Sequence, residues 1–460
     1  MIDAARLLLS KTPKAAIPIH VVEETAWPGF VKGLAKRAKS WCAAQGFAAK
    51  PGTHLCVPAE NGGIAMVVAG ALRPGDDPFI LGAMSGKLPD GAYAFASLPP
   101  QAALVALGWC LELYRYDPHR PLRERLVQLV CPRGVDPVET VRLANASYLV
   151  RDLINTPANL LGPAELEAAA RKIAKQHGAA FKVIRGAQLA NGFPLIAAVG
   201  GASARPPCLI DFTWGNPRHP KVTLVGKGVV FDTGGLDIKP SANMLLMKKD
   251  MGGAANVLGL SHLIMAAKLK LRLRVLIPAV ENAISGPAFR PGDVFKSRKG
   301  VTVEIGNTDA EGRLILADAL ACGDEEAPDL MVDMATLTGA ARVALGPDLP
   351  PFFTDDEGLA TALMKHSTDE NDPLWRLPLW RPYLSMIETP IADLNNSGAG
   401  GYAGAITAAL FLRRFAERAE AYAHFDIFGW TPNARPGRPK GGEQQGMRAL
   451  YGLLKSRYKT

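Results

Sequence analysis

No stretch of this chain approaches the roughly 20 uninterrupted apolar residues that a membrane-spanning helix needs. Met1 to Leu9 has neither an apolar core of the length a secretory leader requires nor a small-residue cleavage site. Both absences predict a cytoplasmic protein without a membrane partner. Cysteine is sparse: Cys42, Cys56, Cys110, Cys131, Cys208 and Cys322 are scattered, and no CxxC occurs. That excludes a disulfide framework or zinc ribbon and reads as buried free thiols. The eight histidines never form HExxH, and no Gly-x-Ser-x-Gly elbow supplies a serine nucleophile. A phosphate-binding loop is missing too, because Val222 to Gly228 lacks the first glycine and the hydroxyl residue of Gly-x4-Gly-Lys-Ser/Thr.

What remains is a chain of 460 residues, 48% apolar and 21% charged. It is long enough for two or three globular domains. The formal charge of +9 is mild for this length, and part of it is concentrated near the end. From Arg435 onward, Arg435, Arg438, Lys440, Arg448, Lys455, Arg457 and Lys459 face Glu443 alone. This tail reads as a solvated surface. Together with a sequence pI of 9.2, it motivates the rival reading of a nucleic-acid-binding or regulatory protein.

Residues 1–136 read as a small α/β domain. Apolar runs at Thr53–Val57 and Gly63–Ala69 alternate there with helical segments at Pro28–Gln45 and Pro100–Leu113. Residues 137–155 read as a linker helix that stops before Pro157, which cannot continue it. From 156 to 460, candidate strands alternate with candidate helices. The strands are Phe181–Ile184, Leu209–Thr213, Val222–Val225, Arg274–Pro278, Val301–Ile305, Leu330–Met334 and Ala421–Ile427. This predicts an α/β domain with a mixed, mostly parallel central sheet flanked by helices.

The chemistry concentrates in that half. Asp309-Ala310-Glu311-Gly312-Arg313-Leu314 follows Asn307-Thr308 and leads into an apolar helix. Residues i and i+2 point the same way only on extended backbone. Asp309 and Glu311 therefore converge if they precede the helix, and two converging carboxylates call for a cation. Upstream lie Gly226-Lys227-Gly228-Val229-Val230-Phe231-Asp232-Thr233-Gly234-Gly235, then Lys239-Pro240, then Met247-Lys248-Lys249-Asp250. Taken singly, an aspartate beside glycine is a turn or cap. Taken together, Asp232, Asp250, Asp309 and Glu311 suit a two-metal site, in which carboxylates hold two cations about 3.5–4 Å apart. Oxygen donors favour Mn²⁺ or Mg²⁺ and tolerate Zn²⁺. Lys227, beside two dications, loses its proton readily and can itself ligate. Lys239 stays charged and faces a developing oxyanion.

These blocks resemble the leucine aminopeptidase (cytosol aminopeptidase) family of dinuclear metallo-exopeptidases. The resemblance also rests on Asn155-Thr156-Pro157-Ala158-Asn159, Ala335-Thr336-Leu337-Thr338-Gly339-Ala340, Ala405-Ile406-Thr407-Ala408-Ala409-Leu410 and His424-Phe425-Asp426-Ile427. It implies that Lys227, Asp232, Asp250 and Glu311 bind the tighter metal, and Asp232, Asp309 and Glu311 the exchangeable one. A hydroxide bridging the pair would attack the scissile carbonyl. Lys239 would stabilise the resulting gem-diolate, and Arg313 would hold a bicarbonate acting as general base. Met247, Thr336 and Gly339 would line the pocket for the N-terminal side chain. The resemblance further implies peptide substrates, a homo-hexamer and a variable, macro-like N-terminal domain.

Met247 and Thr336 suggest an apolar pocket floor favouring leucine and methionine, within a broad specificity that tolerates arginine or lysine. The family has small residues where this chain has Glu443-Gln444-Gln445. Pro436, Gly437, Pro439, Gly441 and Gly442 suggest that this stretch is a solvated loop at the pocket rim.

Overall fold

The computed structural model describes residues 3–120 and 123–459, so Met1 and Ile2 of the N-terminal segment lie outside the described residues. The chain divides into two compact units. One comprises residues 1–148 with 433–440, the other 149–432 with 441–460. The division falls inside a single helix, Pro137–Asn155.

The first unit is built on a six-stranded sheet. Its spatial order is Leu8–Leu9, Val127–Val130, Gly91–Phe95, Ile17–Val22, Ile64–Gly70 and His54–Pro58. Only the last pair is antiparallel. Ile17–Val22 escaped the sequence reading because Pro18 argues against an interior strand. The structure accommodates Pro18 because pairing with Ile64–Gly70 begins only at Ile19. The expected helix over Pro28–Gln45 is two helices, Trp27–Gly33 and Lys36–Ala44, broken where Leu34 turns extended (ψ 155°) after Gly33. Helix Ala102–Glu112 is apolar nearly all round and sits in the core. Its Trp109 is fully buried, and the indole N–H donates to Val127 O at 2.9 Å.

The second unit carries a nine-stranded mixed sheet. Its main path runs Trp375–Arg376, Pro351–Phe353, Ala421–Asp426, Leu330–Ala335, Lys221–Gly226, Arg272–Asn282, Cys208–Trp214 and Ala180–Ile184, and Gly228–Asp232 pairs with Arg272–Asn282. The central strands are parallel. Their residues are buried on both sides, so they read as continuous apolar runs rather than alternating ones. Val301–Ile305, expected in this sheet, contributes Thr302–Glu304 to a separate three-stranded sheet with Val294–Lys296 and Leu394–Asn395.

Helix Gly252–Ala266 packs on Lys221–Gly226 and Leu330–Ala335, and Glu311–Asp324 on Lys221–Gly226 and Arg272–Asn282. A Cβ on Gly253 would lie 2.0 Å from the carbonyl oxygen of Met334. Only glycine lets the helix start that close to the strand, and this approach fixes Asp250 three residues earlier.

The basic tail is only partly a solvated surface: Lys440, Lys455, Arg457 and Lys459 are exposed, whereas Arg438 and Arg448 are buried. Met447–Arg457 is a helix whose Leu450, Tyr451, Leu453 and Leu454 are buried. It packs on helices Gly252–Ala266 and Glu357–Asp369. Apolar residues at helical spacing were hidden among the lysines and arginines. Arg448 itself is buried, donating to Asn371 O at 2.9 Å. No helix among the described residues is long and apolar enough to cross a membrane.

Candidate active site

Parallel strands deliver their carboxyl ends to one place, where ligand-binding groups of α/β sheets collect. Gly226 pairs with Met334, and Ala335 with Asp426. Lys227, Thr336 and Asp426 thus emerge side by side. Asp232 ends the strand Gly228–Asp232, opposite Asn282. Glu311 opens its helix, Ala310 is the residue at its N-cap (φ −105°, ψ 42°), and Asp309 lies in the turn before it. Asn396 holds this turn, accepting from Gly306 N at 2.7 Å and donating to Asn307 O at 2.8 Å.

One carboxylate oxygen each from Asp232, Asp309 and Glu311 lies within 4.8 Å of the others. Lys227 Nζ stands 2.8 Å from Asp250 Oδ2 and 2.9 Å from Glu311 Oε1, and donates to Thr336 O at 3.0 Å. Lys239 Nζ is 2.8 Å from Asp232 Oδ2 and also pairs with Asp309. The Thr336 hydroxyl donates to Asp250 Oδ1 at 2.8 Å. Asn282 Nδ2 and Gly234 N both donate to Asp232 Oδ1, at 2.9 and 2.8 Å.

Asp250 Oδ2, Asp309 Oδ1 and Glu311 Oε1 face lysine ammoniums at ion-pair distance, yet no donor meets them in hydrogen-bond geometry. Two ammoniums among four carboxylates leave the cluster short of positive charge, and buried oxygens without hydrogen-bond donors stay costly until more arrives. Burial, reinforced by Asp232, pushes Glu311 up to about 8 and Asp309 up to about 6. Burial opposes the charge on Lys227, but Asp250 and Glu311 outweigh it and hold the ammonium above its ordinary range. Lys239 behaves likewise through Asp232 and Glu311.

Arg313 is buried, and burial lowers it to about 10. Its Nε and Nη1 have no partner among the described residues. Met247, Thr336 and Gly339 line the same cavity as Lys227, Asp232, Lys239, Asp250, Asp309 and Arg313, a space of about 510 Å³. Every site residue expected from the sequence thus lies in this cluster or its cavity; Glu311 is in the cluster through its contacts.

The Glu443–Gln445 stretch does not line that cavity, and it is buried rather than solvated. Glu443 pairs with Arg151 at 2.8 Å. Gln445 Oε1 accepts from Phe428 N and Gly429 N at 2.8 and 2.9 Å. These residues hold the backbone under the cavity instead of forming its rim. The glycines and prolines before them suggested a loop, and their long-range partners are invisible in sequence.

Several contributors went unread. Asn282 has no local signature. Asp426 accepts from Leu337 N, Thr338 N and the Thr338 hydroxyl, which fixes the turn beside Thr336. His424 is buried but only half satisfied among the described residues. Its Nδ1 lies 2.7 Å from Asp333 Oδ1, and its Nε2 has no partner. Lys249, Arg342 and Phe428 also line the cavity. Of these, only Lys249 had a signal, its place beside Asp250.

A sequence profile of the cytosol aminopeptidase family, catalytic domain, matches residues 148–451. One of the M17 aminopeptidase N-terminal domain matches 17–132. The chain is 41% identical over 380 residues to a probable cytosol aminopeptidase of Syntrophotalea carbinolica, covering 78% of this chain and 76% of that one. To its counterpart in Xanthobacter autotrophicus it is 38% identical over 422 residues, 86% of this chain and 84% of the relative. The crystal structure of the cytosol aminopeptidase from Coxiella burnetii superposes with a TM-score of 0.94 at 45% identity, covering 98% and 99% of the two chains. The bottromycin maturation enzyme BotP in complex with Mn gives 0.85 at 32% identity, covering 96% of this chain and 99% of BotP.

Proposed function

This chain belongs to the cytosol aminopeptidase family and is a metal-dependent aminopeptidase, and on that premise we propose how its own residues act. Asp232, Asp250, Asp309 and Glu311, with Lys227, hold two divalent cations, Mn²⁺ or Zn²⁺, with Mg²⁺ a third candidate at the exchangeable position. The observation that carries this is the set of buried carboxylate oxygens lacking donors, three carboxylates being within 4.8 Å of one another. When bound, the cations supply Lewis-acid chemistry, polarising the scissile carbonyl and lowering the pKa of a water.

The protein does the rest. Lys227 must give up its proton to offer a lone pair, which the carboxylates discourage until cations neutralise them. Lys239, largely buried yet open to the cavity, keeps its charge and stabilises negative charge developing on the carbonyl oxygen. Arg313 offers two nitrogens, Nε and Nη1, without partners among the described residues, and their N–H groups fit a small planar oxyanion; by family resemblance this is bicarbonate serving as base. Met247, Thr336 and Gly339 form the wall against which the substrate's first side chain rests. Leucine and methionine suit that wall, within a broad specificity. The protein works on peptides in the cytoplasm as a homo-hexamer.

The test is reconstitution. A chelator abolishes hydrolysis of N-terminal leucine from peptides, and Mn²⁺ or Zn²⁺ restores it. Full turnover in a sample verified free of metal would disprove the two-cation reading.

A further inference from the structure

Cations at the site fall into two groups. Lys227 and Lys239 each face two carboxylates. Lys249 and Arg342 pair with none: no hydrogen bond or ion pair is made by either side chain among the described residues, and both lie over an aromatic ring. Lys249 Nζ lies 5.0 Å and Arg342 Cζ 4.8 Å from the centroid of Phe428. Lys249 is only 4% exposed. The acids near Lys249 in the cavity, Asp250 and Asp426, act on it through space without an ion pair, and the oxygens of Asp426 are taken by Leu337 N, Thr338 N and the Thr338 hydroxyl at 3.0, 3.1 and 2.6 Å.

Arg342 is exposed where it lines the cavity, whereas Lys249 is buried; a buried cation without an ion pair is costly, and an aromatic face recovers only part of that cost. An anion arriving from solvent recovers more. The place it would occupy is defined. Arg342 Nη2 lies 3.7 Å from the position of a Cβ on Gly339, and Lys249 directly precedes Asp250, which Thr336 holds through its hydroxyl. Thr336 and Gly339 belong to the wall assigned above to the substrate's first side chain. Phe428 lies against both cations, and all three line the cavity. A guanidinium fork matches a carboxylate in geometry as well as in charge.

We propose that Lys249 and Arg342, braced on Phe428, form a carboxylate-recognition subsite in the first-side-chain pocket, so that the enzyme selects N-terminal glutamate or aspartate over their amides and over lysine or arginine. This rests on the assignment of the pocket wall under Proposed function. It reverses the expected tolerance of basic residues, which would bring a third cation against two unpaired ones. Leucine still fits, since Met247 is part of the same wall.

Mn²⁺-loaded full-length enzyme is assayed on peptide amides beginning with Leu, Glu, Gln or Lys. The amide C-terminus leaves the glutamate side chain as the only carboxylate. Glu should exceed Gln in kcat/KM by about 10–100-fold, the worth of a charge-assisted hydrogen bond or two, with Lys the poorest. Arg342→Gln should bring the Glu/Gln ratio to within a few-fold of one, and Arg342→Lys should retain part of it; turnover of the Leu peptide shows that each variant is folded. Leu turnover with a Glu/Gln ratio at or below one overturns the proposal, as does a ratio that survives Arg342→Gln. A preference for acids that appears only when the C-terminus is free would assign these cations to the far end of short peptides and overturn it too. If no peptide is cleaved, the pocket assignment and the two-cation reading fail first, and this inference falls with them.

Discussion

Glu311 gives the metal-free protein an unusual pH dependence. Burial, then repulsion from Asp232, raises its carboxyl from 4.5 to about 8. Folded apoprotein therefore holds a proton there that the unfolded chain releases. The stability this confers is complete below the unfolded value and is lost as pH climbs through the folded one. At 1.36 kcal/mol per unit, the rise sets a ceiling of about 5 kcal/mol. For a unit of this size, a loss of a few kcal/mol lowers the thermal midpoint by roughly 5–10 °C. Apoprotein stripped with chelator should thus melt progressively earlier between pH 5 and pH 8. Mn²⁺ needs the charged carboxylate, so its stabilisation should grow over the same range. Asp309, raised to about 6 by burial, and His424, raised because Asp333 outweighs burial, contribute slopes of the same sign. The decisive comparison is therefore with Glu311→Gln, whose apoprotein should show a clearly flatter dependence. Identical slopes for wild type and variant, or a wild-type midpoint that rises with pH, would refute the reasoning.

Lys239→Ala should lose about 10²–10³ in turnover, the usual cost of one electrostatic stabiliser, while metal analysis still finds two ions per chain. Loss of metal with normal turnover per ion would exchange the roles of the two lysines. Gly253→Ala places a methyl 2.0 Å from Met334 O; the clash is with backbone, so destabilisation of about 3 kcal/mol or more is expected in thermal unfolding, and a neutral result would mean that the helix can shift. Light scattering at micromolar concentration should give the mass of six chains, and a monomer would exclude the hexamer.

The carboxylates and lysines of the site were legible because each sits in a short run of glycines and polar residues at the end of an apolar strand or the start of a helix. The parallel strands were legible as continuous apolar runs. Other features failed for definite reasons. Pro18 disguised a strand whose second neighbour pairs only from Ile19 onward. The charges of the tail masked the buried face of Met447–Arg457. Lys249, Arg342 and Phe428 come from three separate segments, and no local pattern marks residues that meet only after folding. Gln445 reads in sequence as part of a solvated loop at the pocket rim but is buried and caps Phe428 N and Gly429 N, because burial cannot be read from a single polar side chain.

Residues 433–440 belong to the first unit although nearly three hundred residues separate them from the rest of it. Within that unit Arg438 donates to Asp77 at 2.9 Å and lies over Phe79, and Gly437 N donates to Glu112 at 2.9 Å. The order of synthesis is therefore not the order of completion. A nascent chain carrying the whole of residues 1–148 still lacks its closing strap, and Asp77 and Glu112 wait without these partners while the entire body of the catalytic unit leaves the ribosome. A gene fragment cut after residue 148 would encode an unfinished unit, and a workable excision would have to graft the strap back.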